Sequence, residues 1–320
     1  MVKSKSNIAV IGAGLMGHGI AFMFARAGHA VNVFDPVQEA RDTLPERLRG
    51  IAELLQADRA CITRIEACAD LQGTVRIADF VIEAAPEKVA LKQQIFADLE
   101  RLAPAAAILA TNTSVIPIRE VSRSVSGRQR VVGAHFWNPP YLVPLVEVVQ
   151  MEAENLPAVR RTIALLRSVG WKPVHVKRDI PGFIGNRLQH ALKREAIALV
   201  ADGVCDAETV DEVVKLGFGS RLAVLGPLEQ SDLVGLNLTL DIHEVLIRHL
   251  DRTPGPHPLL VDLVSKGHLG MRTGQGFRTW TPEEAQAVQR RLKQFLAHAA
   301  RRAAQASPAA TERDAGVPGE

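Results

Sequence analysis

The first 180 residues alternate between two patterns of apolar and polar positions. Short apolar runs are typical of strands buried inside a sheet, and apolar residues that recur every three or four positions are typical of one helix face. The strand-like runs are 8–11, 31–34, 80–82, 107–110, 131–134, 144–149 and 172–177. The helical patterns between them are 16–27, 38–56, 88–102 and 156–168. This alternation predicts an α/β fold with a parallel sheet covered on both faces by helices.

The pattern changes at Asp179-Ile180-Pro181-Gly182, after which helical periodicity dominates. Helical patterns then cover 183–202, 206–216, 230–250, 257–267 and 282–299. We therefore predict two domains, an α/β domain over 1–180 and a mostly α-helical domain over 181–300. Residues 301–320 are small and polar and include Pro and Gly, which predicts a disordered tail.

Composition narrows the class of protein. The chain has 320 residues, of which 47% are apolar and 23% charged, as expected of a globular protein with about two domains. Lys and Arg number 38 against 35 Asp and Glu, and this net charge of +3 argues against a nucleic-acid partner. Only 4% of the residues are aromatic, so platforms for base stacking are not expected.

Membrane, export and metal-binding functions find no support in the sequence. No apolar run reaches the roughly 18 residues of a transmembrane helix, so no membrane partner is expected. The first residues lead into a strand pattern and lack an export signal. Cys61, Cys68 and Cys205 have neither the number nor the spacing of a disulfide framework or a zinc site. These features predict a cytoplasmic protein without a metal.

A glycine-rich motif, Gly12-Ala13-Gly14-Leu15-Met16-Gly17, joins the first predicted strand to the first predicted helix. In a dinucleotide-binding turn, Gly12 permits the tight turn, Gly14 lets a pyrophosphate approach the backbone, and Gly17 lets helix and sheet pack closely. The helix N-terminus adds free N–H groups and partial positive charge. The motif, with Leu15 and Met16 inside it, is therefore a candidate cofactor site. The alternative is a glycine cluster in a sheet protein that binds no nucleotide.

Asp35 ends the second predicted strand. A carboxylate at this position can accept both ribose hydroxyls of an adenosine and repels a 2′-phosphate. The next residues, Pro36-Val37-Gln38, place no Arg or Lys beside it. The sequence therefore favours NAD over NADP as the cofactor.

A histidine and a glutamate are the candidate acid–base pair. His135 ends a predicted strand, where ligands bind in α/β sheets, and an imidazole can take a proton from an alcohol. Glu147 lies in the apolar run Leu145–Val149, and a carboxylate in such surroundings needs a partner. His135 is one candidate, with the carboxylate orienting the ring and stabilising its charged form. The alternative is a packed histidine and a glutamate that faces water.

Two further polar groups are candidates for binding a ligand. Thr111-Asn112-Thr113-Ser114 follows another predicted strand, where its hydroxyl and amide groups either position a ligand or cap a helix. Asn186 falls in the first helix of the second predicted domain, among largely apolar positions. That placement indicates a hydrogen-bonded role for Asn186.

These motifs together resemble the 3-hydroxyacyl-CoA dehydrogenase family. The resemblance spans about residues 6–280 and rests on GAGLMG, EAAPE, ATNTS, HFWNPP, LVEVV, DIPGFIGNR and GQGF. It implies a Rossmann-type NAD-binding domain followed by a mostly α-helical C-terminal domain that usually forms a homodimer interface. It also implies an NAD-dependent enzyme that oxidises an L-3-hydroxyacyl-CoA or a related 3-hydroxy acid to the 3-keto product. In such an enzyme His135 resembles the general base.

The resemblance also implies roles for single residues. Glu147 looks like the carboxylate partner of the catalytic histidine. The positions similar to the family's substrate-contacting residues are Ser114, Asn138 and Asn186. The positions similar to those near the nicotinamide end of the cofactor are Glu87, Lys92 and Asn112.

One departure from the fatty-acid-oxidation members concerns CoA. The segment after Asp35 is shorter than theirs, and no lysine lies between Lys5 and Lys88. In those members a lysine-bearing helical hairpin at this place contacts CoA. Either the arginines of the segment substitute for the lysines, or the substrate carries no CoA. The arginines concerned are Arg47, Arg49, Arg59 and Arg64.

A second departure concerns the substrate. The run 217–227 is similar to a branch that acts on free carboxylic acids, and the run 277–283 also looks like the pyridine-type member of that branch. That branch includes L-gulonate 3-dehydrogenase with lambda-crystallin, L-carnitine dehydrogenase and a dehydrogenase of a hydroxymethyl- or formyl-pyridine carboxylate. Arg221 lies in the first run, and its guanidinium is a candidate for two-point binding of a substrate carboxylate. The alternative is an arginine of the surface or of an interface.

Two other functions compete with a histidine-dependent dehydrogenase. One is a non-catalytic NAD-binding or structural protein, as in lens crystallins of this branch, and the presence of every catalytic position argues against it. The other is a second family of 3-hydroxyacid dehydrogenases, which shares the glycine-rich turn but uses a catalytic lysine. The His135–Glu147 pair and the PGFIGNR motif argue against that family.

Overall fold

The computed structural model describes residues 5–306 of the chain. These residues form two compact units. The first takes in the residues up to Asn186 and those from Leu292 onward, and the second comprises Arg187–Arg291. The first unit thus extends past the predicted division near residue 180, because hydrogen bonds tie residues 184–186 to Glu147 and Ser114.

The first unit is built on one eight-stranded sheet, which confirms the α/β prediction. Its strands are β1 Asn7–Ile11, β2 Ala30–Phe34, β3 Ile65–Cys68, β4 Phe80–Glu83, β5 Ile108–Thr111, β6 Val131–Phe136, β7 Leu145–Val149 and β8 Lys172–Val176. They lie in the order β3-β2-β1-β4-β5-β6-β7-β8. The chain reverses its direction of winding between β1 and β4, which is where such sheets bind nucleotides.

Helices cover both faces of this sheet. They are α1 Gly17–Arg26, α2 Gln38–Asp42, α3 Leu44–Leu55, α4 Leu71–Val75, α5 Val89–Leu102, α6 Ile118–Val121 and α7 Leu156–Val169. Side chains of α1, α3 and α7 pack in one core cluster with the sheet, and those of α4, α5 and α6 pack in the other. Buried strands between two helix layers explain the continuous apolar runs of the sequence.

Three local features differ from the predicted pattern. Strand β7 is antiparallel to β6, since the eight residues between them contain no helix that would carry the chain back for a parallel strand. Strand β3 was not predicted, because it is an edge strand whose Ile65-Glu66-Ala67-Cys68 has no apolar run. The helical pattern 38–56 is two helices that meet at Thr43.

The second unit is helical. Its helices are α8 Gly185–Ala201, α9 Ala207–Leu216, α10 Pro227–Val234, α11 Leu236–Leu246, α12 Pro258–Ser265 and the first part of α13 Pro282–Ala306. The predicted helix 230–250 is interrupted at Gly235, whose φ of +98° no helix contains. None of the residues in α9 to α12 is buried.

Helix α13 extends to Ala306, into the predicted tail 301–320. Residues 299–306 are five alanines, two arginines and a glutamine, which favour helix. Residues 307–320 of that prediction lie outside the described part of the chain. Within residues 5–306, no helix has the length and hydropathy needed to cross a membrane, and no three His, Cys, Asp or Glu side chains cluster as metal ligands.

Candidate active site

The glycine-rich turn leaves space for a ligand at one glycine only. Gly12 has a φ of +106°, and a Cβ there would lie 2.7 Å from the carbonyl oxygen of Ala84. A Cβ on Gly17 would lie 1.7 Å from the carbonyl oxygen of Gly12. A Cβ on Gly14, in contrast, would have no atom within 4 Å. Gly12 and Gly17 therefore fix the turn, while Gly14 borders the open space that a pyrophosphate requires.

Asp35 connects this turn to the end of β2. Its Oδ2 accepts a hydrogen bond from the Ala13 amide at 2.8 Å, and its Oδ1 accepts one from the Val37 amide at 2.9 Å. Each oxygen can accept a second bond, so the carboxylate still has capacity for two ribose hydroxyls. Leu15 is 68% exposed, and Met16 precedes the first residue of α1. The accepting oxygens of Asp35 fit the adenosine ribose, and the open space at Gly14 fits the pyrophosphate of a dinucleotide.

Replacing Gly14 with Ala is expected to weaken NADH binding about tenfold or more with little change in melting temperature. The added methyl group occupies the space beside the turn but contacts no protein atom. Gly17→Ala is the matched variant, since its methyl group collides with the turn itself and is expected to lower the melting temperature. NADH fluorescence titration and thermal melting separate the two effects. If both variants lost the same NADH affinity and the same melting temperature, Gly14 would not border an open ligand space.

His135 and Glu147 form a buried pair. They lie directly opposite each other on the antiparallel strands β6 and β7, where side chains on one face of the sheet meet. His135 Nδ1 lies 2.8 Å from Glu147 Oε2, and the two residues are 5% and 1% exposed. The predicted contact is therefore present in the structure.

The second oxygen of Glu147 holds the start of α8. Oε1 accepts hydrogen bonds from the amides of Ile184 and Gly185, at 2.9 and 3.0 Å. Burial alone would raise the pKa of Glu147, but the bond from His135 and the two amides outweigh it and place the pKa below its ordinary value. An ionised carboxylate only accepts, so Nδ1 of His135 carries the proton and Nε2 of the neutral ring has a free lone pair.

Aromatic side chains surround the ring of His135. The rings of Trp137 and Phe183 have centroids 5.4 and 5.9 Å from it. Phe183 is buried and has a φ of +49°, a left-handed conformation that is rare for a bulky residue and is found most often at functional sites. A Cβ on Gly185 would lie 2.3 Å from the Trp137 ring, which explains this glycine of the motif. His135 Nε2 has no hydrogen-bond partner among residues 5–306.

Ser114, Asn186 and Asn112 lie around this pair as positioned polar groups. Asn186 Nδ2 donates to the carbonyl oxygen of Ser114 at 2.9 Å. Asn112 is buried, and its Oδ1 accepts from the amide of Phe136, the residue next to His135, at 2.8 Å. The Ser114 hydroxyl has no partner among the described residues. It is therefore free to bind a ligand.

Glu87 holds the loop that carries Ser114. It accepts from the Thr113 hydroxyl at 2.5 Å and from the amides of Ser114 and Val115 at 2.8 and 3.2 Å. Burial raises the pKa of Glu87, but these hydrogen bonds and the charge of Lys92 together lower it by more. The pKa of Glu87 therefore lies below its ordinary value. The Glu87 carboxylate is thus ionised and committed to the loop.

Lys92 is buried in a network that the sequence did not reveal. Its Nζ lies 2.7 Å from Glu83 and 3.4 Å from Glu87. Glu83 is fully buried at the end of β4 and also accepts from the Thr111 hydroxyl at 2.7 Å. The signal that was missed is a carboxylate at the end of the apolar run Phe80-Val81-Ile82. Such a group needs a buried partner, which here is the Lys92 cation.

Two predicted residues share no hydrogen bond with this cluster in the described part of the chain. Asn138 is exposed, and its peptide bond to Pro139 is cis. Arg221 belongs to the second unit, in a short 3₁₀ turn, and is exposed with no side-chain partner in the described chain. The role of Arg221 stays a prediction. A cavity of about 920 Å³ in the first unit is lined by α1, α3, 140–144, 167–174 and part of α13, and not by His135.

Comparison with known proteins identifies the family. The model of the 3-hydroxyacyl-CoA dehydrogenase NAD binding domain matches residues 7–180, and that of the 3-hydroxyacyl-CoA dehydrogenase C-terminal domain matches residues 182–280. The chain is 34% identical over 288 residues to a 5-formyl-3-hydroxy-2-methylpyridine 4-carboxylate 5-dehydrogenase of Mesorhizobium japonicum. That alignment covers 88% of this chain and 93% of the relative.

Solved structures agree with this assignment. A crystal structure of a 5-formyl-3-hydroxy-2-methylpyridine 4-carboxylic acid 5-dehydrogenase, described as an NAD⁺-dependent dismutase, is 32% identical with a TM-score of 0.87, covering 95% of this chain and 99% of that one. An (S)-3-hydroxybutyryl-CoA dehydrogenase from Ralstonia eutropha is 29% identical with a TM-score of 0.71, covering 86% and 99%. With the dinucleotide-binding turn and the matched sequence, these findings confirm the predicted resemblance and the NAD cofactor. The chain belongs to the 3-hydroxyacyl-CoA dehydrogenase family of NAD-dependent oxidoreductases.

Proposed function

We propose that this enzyme oxidises a hydroxyl-bearing carbon of its substrate with His135 as the general base. The observation that supports this most is the buried His135–Glu147 pair, in which Nδ1 is bonded and Nε2 is free. Nε2 takes the hydroxyl proton while the C–H bond breaks and the carbon–oxygen double bond forms. Bound at the glycine-rich turn, NAD would supply the acceptor for the hydride that leaves this carbon. Glu147 keeps the ring in the required tautomer and stabilises the imidazolium.

Ser114 and Asn186 are proposed to hold the substrate oxygen beside His135. Their mutual hydrogen bond fixes both groups, and the Ser114 hydroxyl remains unpaired. Glu87 and Lys92 are proposed to position the nicotinamide end through the loop at Ser114, since both side chains are engaged in ion pairs and hydrogen bonds. Asn112 is proposed to act in the same way, by holding the end of β6.

A free carboxylic acid is the substrate class that we favour, either a hydroxy acid or a hydroxymethyl- or formyl-pyridine carboxylate, the formyl group reacting as its hydrate. The similarity to the pyridine-carboxylate dehydrogenase extends over more of the chain, with a higher TM-score, than the similarity to the hydroxybutyryl-CoA dehydrogenase. The region from Asp35 to Lys88 also offers no lysine for CoA phosphates. The second candidate is a 3-hydroxyacyl-CoA, supported by the family and by the Ralstonia structure.

A panel of substrates tests this choice through NADH formation. We expect turnover of L-gulonate, L-carnitine, 3-hydroxybutyrate or a hydroxymethyl- or formyl-pyridine carboxylate, and little turnover of 3-hydroxybutyryl-CoA. On the substrate that reacts, Arg221→Ala is expected to raise KM about tenfold or more with kcat little changed, because a charge-assisted bond is lost. Arg272→Ala, also in the second unit, is the control. Activity on thioesters alone would contradict the free-acid substrate.

We also propose that the second unit forms a homodimer. Helices α9 to α12 have no buried residue, and large apolar side chains on them are widely exposed, at 80% for Leu228, 64% for Leu236 and 59% for Leu240. Apolar surface of this extent is typical of an interface. Sedimentation is expected to give twice the chain mass, and Leu228→Asp with Leu240→Asp is expected to give monomers. A monomeric wild-type chain would contradict the proposal.

A further inference from the structure

One arginine reaches the glycine-rich turn from a helix that follows Asp35. Arg47 lies on α3 and donates hydrogen bonds to the carbonyl oxygens of Ala13, inside the turn, and of Ala40. It is half-buried, and its Nε is buried with no hydrogen-bond partner in the described chain. The guanidinium therefore lies beside the turn, with its Nε buried.

No carboxylate of residues 5–306 forms an ion pair with Arg47. The nearby carboxylate of Asp35 accepts from the amides of Ala13 and Val37. A half-buried cation that meets only carbonyl oxygens loses hydration without gaining an opposite charge, which is unfavourable until an anion binds. The turn beside it is where the open space at Gly14 admits a pyrophosphate.

The charge of Arg47 also reaches His18, in the first turn of α1. Its Nδ1 donates to the carbonyl oxygen of Gly14 at 2.6 Å. Burial lowers the pKa of His18; the bond to Gly14 opposes this shift, and the positive charge of Arg47 adds to it. Arg47, through its bond to Ala13, and the N–H groups of the first turn of α1 thus border the same glycine-rich turn, and both favour an anion.

We propose that Arg47 is an anion-binding residue of the cofactor site and that its guanidinium binds the pyrophosphate of NAD. This extends the proposed function by a residue of the NAD site and removes Arg47 from the arginines available to CoA. The phosphate supplies the missing counter-ion, and the bonds to Ala13 and Ala40 hold the guanidinium in place beforehand.

Binding of ADP-ribose and of adenosine distinguishes a phosphate contact from a role in shaping the turn. Calorimetry on Arg47→Gln is expected to show that ADP-ribose binds at least about tenfold more weakly than to the wild type, because one charge-assisted bond is lost. The affinity for adenosine is expected to stay within about twofold of the wild-type value. Arg49→Gln, an exposed position on the same helix, is expected to bind both as the wild type does. Unchanged ADP-ribose binding, or an equal loss for both ligands, would overturn the proposal.

Two further measurements cover other outcomes. Arg47→Lys keeps the charge if the Gln variant fails to fold, and it is expected to retain ADP-ribose affinity within about fivefold; a loss larger than that would overturn the proposal. CoA, titrated in the presence of saturating NADH, is expected to bind equally to wild type and Arg47→Gln. A loss confined to CoA would assign Arg47 to the substrate instead. None of these measurements depends on turnover, so a wrong substrate leaves them valid.

Discussion

Replacing His135 with Gln is expected to lower kcat by about 10²–10⁴-fold, the range for loss of a general base. Glutamine can fill much of the space of the ring, but its amide cannot take the proton from the substrate hydroxyl. The glycine-rich turn shares no hydrogen bond with His135, so NADH is expected to bind the variant as tightly as the wild type. Steady-state kinetics and NADH fluorescence titration give the two numbers.

His175→Gln is the matched control. His175 lies on β8 of the same sheet, half-buried, with Nε2 bonded to Gln150 at 2.8 Å. Its substitution removes an imidazole without touching the pair of His135 and Glu147, and kcat is expected to change less than about threefold. If His135→Gln kept more than about a tenth of the wild-type kcat, the proton would have to leave by another group, and the proposed mechanism would be wrong.

The contact between His135 and Glu147 illustrates how far sequence reasoning reaches. Twelve residues separate them, and the apolar runs around each predicted two strands correctly. Their meeting depends on the antiparallel register of β6 and β7, which the spacing alone does not fix, because either residue could have faced the other side. The buried carboxylate and its need for a partner supplied the remaining part of the prediction.

Two other contacts between polar groups that lie apart in the sequence were not predicted. Lys92 lies in the predicted helix 88–102, and the helical pattern predicts neither its burial, to 1% exposed, nor its ion pair with Glu83. Arg47 likewise lies in a helical pattern, and its contact with Ala13 arises only when α3 packs beside the turn. Periodicity shows which face of an element is apolar. The partners of a long polar side chain depend instead on which groups tertiary packing places within its reach, and periodicity does not predict these.

Glu147→Gln is expected to lower kcat almost as strongly, although the substitution replaces only one oxygen by an NH₂ group. The two oxygens of Glu147 serve different donors: Oε2 accepts from His135 Nδ1, and Oε1 accepts from the amides of Ile184 and Gly185. A glutamine offers one accepting oxygen and one donating amide. If the glutamine oxygen faced His135, its NH₂ group would face the two backbone amides, and donors would then meet only donors.

The favoured orientation of the introduced glutamine therefore turns its oxygen to the backbone amides and its NH₂ to His135. Nδ1 must then accept, the ring proton moves to Nε2, and the atom that should take the substrate proton already carries one. We expect kcat to fall by about 10³–10⁴-fold, as for other bases held in the wrong tautomer, with NADH binding unchanged. Nitrogen NMR of the labelled ring is expected to place the proton on Nε2 in the variant and on Nδ1 in the wild type.

Glu147→Asp is the matched variant, because aspartate keeps two accepting oxygens on a shorter side chain. It is expected to retain the wild-type tautomer of His135 and more of the activity than Glu147→Gln does. If Glu147→Gln turned over within about tenfold of the wild type, the carboxylate would serve only to hold the start of α8 through Ile184 and Gly185. The protonation state of the base would then be set by another group, since an amide in place of the carboxylate cannot hold the proton on Nδ1 while also accepting from the backbone.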